Sequence, residues 1–575
     1  MTRVGIRVTF GVALLVAALV VSADRLVDRG GSPSDEVATT GEADTVLTSG
    51  QWTCPMADVG DVETDLRVQV ARPDVLEEPG VVEVVEIDGE SLISVGRSSV
   101  ETYGQRSFAP EGVTVVRWGG GPVAVHREWR FTGGDLPPGI VAAGCVAGPS
   151  REWVVPGMVT SGGHEAILRL SNPHDTDASV GLQFLTPQGP ESPLALQNVS
   201  VSARSTVEIV VNESLPERDD LSAIVRVATG RVVVEGMQLV RSAIGGVDGA
   251  SALQAGGVPR EIQTVGWIVD APQRTSWLWI VNPTDRTANV ELTYHLLDGG
   301  RIPDGLEELS VPAGSMQRVD LSGTFDDDEV VGVTARSDGV PVVVSAATRI
   351  ADTAVDRTGF SIQLAAEPSR DWVVAGAGTE DREEQLHLVN PGSASARVDV
   401  TVQTGQGPQQ PPQLQGLVVG PGSRLAVDLG PWLEDASTWT VFVAADRGIV
   451  ATRVGGAAVG PRRLVAVPGV SATSWTARGP TLVARRVDGL VARLGTQLGI
   501  PPREDQFRFD PVPLHEPDVT EDRAPTRPGT SSLGTVPGDG PTTGSPGQDE
   551  GDEEADGVAD ADGDANGDAS DATGN

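Results

Sequence analysis

Three times along the chain, alternating apolar and polar residues run up to an Asn-Pro pair and stop. The three runs are Leu168-Arg-Leu170-Ser-Asn172-Pro173, Leu278-Trp-Ile280-Val-Asn282-Pro283 and Leu386-His-Leu388-Val-Asn390-Pro391. A period of two is that of a strand, so Leu168 and Leu170, with their counterparts, face a core and the residue between them faces away. Proline fixes its own backbone, has no N–H and holds the residue before it extended, so the strand must end there. The asparagine is placed to accept from a backbone amide two residues on and hold the turn. A second alternation follows each pair: Val180, Leu182, Phe184; Val290, Leu292, Tyr294; Val398, Val400, Val402.

The asparagines are 110 and 108 residues apart, and each has a serine 33 residues later: Ser205, Ser315 and Ser423. Equal offsets in three places mark a duplicated unit. Tryptophans Trp52, Trp153, Trp267, Trp372 and Trp475 recur at similar intervals, so each unit is expected to open on a Trp strand. Turns at Thr229-Gly230, Asp338-Gly339 and Asp446-Arg-Gly448 predict a closing hairpin. About seven short strands per hundred residues, with turns between them, is the pattern of an antiparallel β-sandwich. The expected fold is therefore all-β: tandem sandwich modules, immunoglobulin-like in the broad sense.

Repeat units are placed at 151–250, 260–352 and 365–457. Residues 51–146 read as a diverged first copy in which Arg72-Pro73 replaces Asn-Pro. Residues 458–480 read as a closing Trp strand. Residues 481–499 carry apolar positions at helical spacing and predict one short amphipathic helix packed on the last sandwich. Residues 500–575 are Pro-, Gly- and then Asp-rich, the composition of a disordered acidic tail. Before the modules, 24–50 reads as a flexible spacer. Arg3 and Arg7 precede an apolar run from Val8 to Val21, so 1–23 is a signal peptide, cut after Ala23, or a signal anchor. The residues leave those two open. Either places the remainder outside the cytoplasm.

Composition narrows the chemistry. A net charge of -38 excludes a nucleic-acid binder, which needs clustered basic residues. The chain has no lysine, hence no Schiff-base or lysine-base chemistry. The two cysteines, Cys54 and Cys145, lack metal-ligand spacing, and in an exported chain they are expected to pair. Closing a loop of that length stabilises by roughly 4–5 kcal/mol in the chain-entropy model. The six histidines share no offset from the asparagines, and His164, Glu165 and His174 lack zinc spacing. No nucleophile elbow or phosphate loop occurs. No cofactor, metal or catalytic residue is therefore assigned. Trp277 and Trp279 lie on the outward face of their strand, where they either stack on a sugar or pack against a neighbouring module.

Gln51-Trp-Thr-Cys54-Pro55, followed by Trp-led repeats with Leu-x-Asn-Pro and Pro-Ala-Gly-Ser turns, resembles an actinobacterial family of uncharacterised exported proteins. The resemblance covers about 51–470. It implies an N-terminal anchor, an extracytoplasmic β-rich body and no established activity, with an envelope setting hinted at by neighbouring glycosyltransferase genes. The expected function is a non-catalytic cell-envelope scaffold, spacer or protein-interaction array, attached to the membrane by its N-terminal segment. The alternative is a carbohydrate-binding array on envelope polysaccharide.

Overall fold

In a computed structural model the described residues are 45–477, apart from 47–48, 56–62, 74–79, 89–90, 134–138, 244–246, 257–258, 270–273, 326–328, 353–356, 379–381, 435, 458–464 and 472–475. The leader, most of the spacer, Trp475, the expected helix and the acidic tail lie outside them.

The 151–250 unit shows how each module is built. One sheet runs Glu152–Met158, Leu221–Thr229, Ala178–Thr186, with the short strands Gly189–Glu191 and Val199–Val201 bordering the last. The other runs Ser205–Val210, His164–Asn172, Val233–Ala243, Val247–Leu253. All neighbours are antiparallel. Leu168, Leu170, Val180, Leu182 and Phe184 meet between the sheets and are buried, as their alternation predicts. The third and fourth modules repeat this order, and the first keeps it with different edge strands.

The turns at Thr229-Gly230 and Asp338-Gly339 do not close hairpins. The strands on either side of each lie in opposite sheets. Gly230 and Gly339, at φ 75° and 85°, carry the chain across the sandwich. In the fourth module the same passage is one continuous strand, Thr438–Ala457. Its first half pairs with Ser369–Ala377 and its second with Arg382–Val389. Turn chemistry announces a reversal, but which sheet receives the chain is decided by packing. The closing segment is also reassigned: Val465–Pro468 and Val470–Ser471 are strands of the fourth module. Two residues of the expected spacer, Thr45–Val46, pair with Thr476–Ala477, so the chain enters and leaves this region side by side.

The modules close into a cycle. Strand Glu152–Met158 packs on Val343–Asp352 of the next module, and Ile262–Val269 packs on Thr438–Ala457. By the same rule Ser369–Ala377 of the fourth module packs on Ala124–Gly133 of the first. The last strands, Gly139–Gly144, Val247–Leu253, Arg357–Leu364 and Val465–Pro468, each touch the next, and the fourth touches the first. Small residues on them (Ala142, Gly144, Gly249, Ala250, Ala252) let these strands approach closely. The first module is therefore not an end without a neighbour. It is seated on the fourth.

Candidate functional site

The repeated asparagine is spent on structure. Asn172 Nδ2 donates to the carbonyls of Thr176 (2.7 Å), Val201 (3.2 Å) and Ser202 (3.1 Å), while its Oδ1 accepts from the His174 amide. Asn282 does the same with Arg286, Val311 and Pro312, accepting from Thr284. Asn390 repeats it with Ala394, Val419 and Gly420, accepting from Gly392. All three are 0% exposed. Each side chain ties its own turn to the strand end across the sandwich, so backbone groups there need no water. The serines 33 residues on lie at the same place: Ser205 and Ser315 face Asn172 and Asn282 in the ladder, and Ser423 O accepts from the Asn390 amide. In the first module the buried Arg72 reaches the carbonyl of Val100, the counterpart of Val201, at 3.2 Å.

The tryptophans divide differently from their spacing. Trp52, Trp153 and Trp372 are equivalent, each indole N–H donating to a carbonyl across the sandwich: Val123 (2.8 Å), Val232 (2.9 Å) and Ile449 (2.9 Å). In the third module that place belongs to Gln263, whose Nε2 donates to Val342 at 3.1 Å. Trp267 is four residues further on, inside a bulge between Val265 and Ile268. It packs with Val269, Val330 and Val454 against the fourth module. The signal for this was present in the sequence, since Gln263 precedes Val342 by the same 79 residues that separate Trp153 from Val232.

Trp277 and Trp279 point out of their own sandwich and into the second module. They are 7% and 0% exposed, so neither offers a face to a sugar, and the ligand-surface reading is corrected. They stand edge to face at 5.5 Å, Arg318 lies over Trp277 at 4.4 Å, and Trp279 Nε1 donates to Asp220 at 2.7 Å. The bulged Gly157 makes room: a Cβ there would fall 2.2 Å from the Trp279 ring. The same position in the fourth module is His387, also buried, whose pKa burial lowers to about 3 with Arg424 adding to the effect. Position -3 is thus buried in both cases, where a solvated face was expected. Trp279→Ala is expected to destabilise the second and third modules together by about 3–5 kcal/mol. Urea unfolding followed by hydrogen exchange at Val154–Val155 and Val343–Ala347 checks this.

A dense polar cluster lies at the junction of the fourth module with the first. Arg453 binds Glu384 of its own module through Nη2 (2.6 Å) and Nε (2.9 Å), and Glu128 of the first through Nη1 (3.0 Å). Nη1 also reaches the Ala375 carbonyl, and the guanidinium lies 4.9 Å from the Trp439 ring. Burial alone would lower the arginine pKa, but Glu384 and Glu128 raise it further than burial depresses it. Beside them Glu128 accepts from the Ala377 amide and His126 Nε2 meets the Val373 carbonyl at 3.0 Å. Gln105 binds the Thr438 carbonyl and accepts from Thr440. The first and second modules share an ion pair, Arg127 with Glu235, set in an apolar cluster of Leu66, Trp129, Ile167, Met237 and Leu239.

Cys54 and Cys145 are joined in a disulfide, buried in the first module. His164 and His174 sit at opposite ends of the strand His164–Asn172 and do not converge. Among the described residues no group of three His, Cys, Asp or Glu is placed to hold a metal, and no helix is long and apolar enough to cross a membrane.

No curated protein is similar enough to match. Among solved structures, Escherichia coli alpha-2-macroglobulin activated by porcine elastase aligns over 74% of this chain and 45% of that chain, at 10% identity and a TM-score of 0.08. The chain thus spans less than half of that protein, and a likeness so low carries no argument. A model described as a family of unknown function (DUF5719) matches residues 119–368 and 363–459. These spans take in most of the four modules and more than half of the chain, and the protein belongs to that family.

Proposed function

We propose that the protein is a non-catalytic scaffold of the cell envelope, a platform of four fused sandwiches in an oxidising, extracytoplasmic compartment. The observation that carries this reading is the use made of the repeated residues. Every asparagine shared between modules is fully buried and bonded to its own backbone, so what was duplicated is shape. A site for chemistry would keep its shared residues accessible to a substrate. The disulfide supports an oxidising compartment. The platform is favoured over a spacer because Thr45–Val46 pairs with Thr476–Ala477, and a chain that enters and leaves at one place adds little length. The apolar run Val8–Val21 directs export, and attaches the chain to the membrane where it is kept as an anchor instead of being cut after Ala23. With Trp277 and Trp279 buried, the carbohydrate-binding alternative has lost the residues that motivated it.

Cells producing the full chain, quenched in acid and alkylated before and after reduction, test the compartment. No free thiol is expected; free Cys54 and Cys145 contradict it. In-cell cross-linking followed by purification tests the role. A defined envelope protein retained in fixed ratio supports a scaffold, and recovery of polysaccharide alone contradicts it.

A further inference from the structure

The edges of the four modules are not guarded alike. In the second, third and fourth, the strands Ala178–Thr186, Ala288–His295 and Ala396–Thr404 are bordered by two separate short strands, none longer than three residues. Those borders are Gly189-Pro190-Glu191 with Val199–Val201, Gly300-Arg301 (followed by Pro303) with Leu309–Val311, and Gly407-Pro408-Gln409 with Leu417–Val419. Short strands and prolines are how sheets discourage edge-to-edge pairing. In the first module the corresponding strand, Gly80–Asp88, is bordered instead by ten residues, Ser91–Val100. That stretch has no proline and one charge, Arg97. Ile93 is 49% exposed, Ser94, Arg97 and Ser99 are exposed, and among the described residues no strand pairs with its outer side.

We infer that Ser91–Val100 is a docking edge for a second copy of this chain, paired antiparallel to itself about a two-fold axis at Gly96, where the two glycines face each other. The register supports this occupant. Glu83 faces Arg97 and Val85 faces Ser94, with Val95 extruded in the bulge between. Ser94 and Arg97 therefore lie on one face of the sheet, where an unbulged strand would put them on opposite faces. About the proposed axis Ser94 of each copy faces Arg97 of the other, Leu92 faces Ser99 and Ile93 faces Ser98. Each pair shares a face. Each arginine meets a neutral serine and not its twin, so a chain of net charge -38 has, along this edge, neither an acid nor a like-charge contact to oppose association. Serines opposite Leu92 and Ile93, and glycine opposite glycine at the axis, leave room for close approach. The inference rests on this edge and is independent of the compartment and of the absence of catalysis.

Sedimentation of the purified full chain over a dilution series tests it with two variants. Ser94→Lys puts a lysine opposite Arg97 twice per dimer and is expected to weaken association severalfold. Ser94→Glu puts an acid there and is expected to tighten it severalfold. At a dilution where each chain is monomeric, both should keep the wild-type melting temperature, since Ser94 is exposed. A chain that is monomeric throughout the series overturns the inference, whatever extended peptide it binds. So does a shift in the same direction for both variants.

Discussion

Arg453→Met is expected to destabilise the fourth module by about 3–5 kcal/mol and to part it from the first. Arg453 is 2% exposed and satisfies two carboxylates, one on each side of the junction. Removing it takes from the buried Glu384 and Glu128 the charge that joins them, although Glu128 keeps its ion pair with Arg130 at 3.5 Å, and a severed buried pair costs far more than an intact one contributes. The triple variant Arg453→Met, Glu384→Gln, Glu128→Gln should recover much of the loss, because it buries no charge. Urea unfolding measures the magnitude, and hydrogen exchange at 126–130 and 373–377 shows whether the junction opens. Equal stability of the single variant and the wild type would mean that the cluster is solvated. The same junction sets an acid limit. Burial, with Arg453 adding to it, lowers the His126 pKa to about 4, while the Val373 carbonyl partly opposes the shift. A histidine whose folded pKa lies below its unfolded value stabilises above about pH 6.5 and loses that contribution as pH falls towards 4. His387, lowered to about 3, acts in the same direction. Stability should therefore decline steadily from pH 6.5 to 4, and His126→Gln should flatten part of that slope.

Asn282→Ala carries the second large effect, about 3–5 kcal/mol in the third module. The substitution removes the side-chain bonds to the Val311 carbonyl and the Thr284 amide in a buried turn, and one of two bonds to the carbonyls of Arg286 and Pro312, which keep the hydroxyls of Thr284 and Ser315. Each unsatisfied buried group costs about 1–3 kcal/mol, and partial relaxation keeps the sum below the simple total. Asn282→Asp should be at least as damaging, since a carboxylate would face three carbonyl oxygens. Because the three asparagine environments match, Asn172→Ala and Asn390→Ala should cost the same within error. Asn198, exposed and bonded only to Ser179, is the control and should change stability by less than about 0.5 kcal/mol. Module-resolved hydrogen exchange is the suitable readout, because four modules need not unfold in one step.

What the sequence made legible was what short-range alternation controls. Leu168, Leu170, Val180 and Leu182 faced inward as their period requires, and Asn172 held its turn as its side chain allows. What it hid depended on partners far along the chain. Thr229-Gly230 looks like a hairpin because the local geometry of a reversal is the same whether the chain stays in one sheet or crosses to the other. Trp279 looked exposed because alternation records only the side of its own sheet, and the module that covers it arrives through Gly157 and Asp220. The Trp267 misalignment arose from counting indoles, when the conserved task was donation to a carbonyl that Gln263 performs as well. The closure of the cycle was invisible for the same reason: Arg453 and Glu128 are 325 residues apart.

Replacing Gln105 with a photoactivatable residue in the full chain tests that closure most directly. Gln105 lies against Thr438 and Thr440 of the fourth module. Irradiation of the monomer at low concentration should give an intramolecular cross-link from 105 to the peptide containing 438–440. A monomer that cross-links only within its first module, or not at all, would mean that the four sandwiches form an open string.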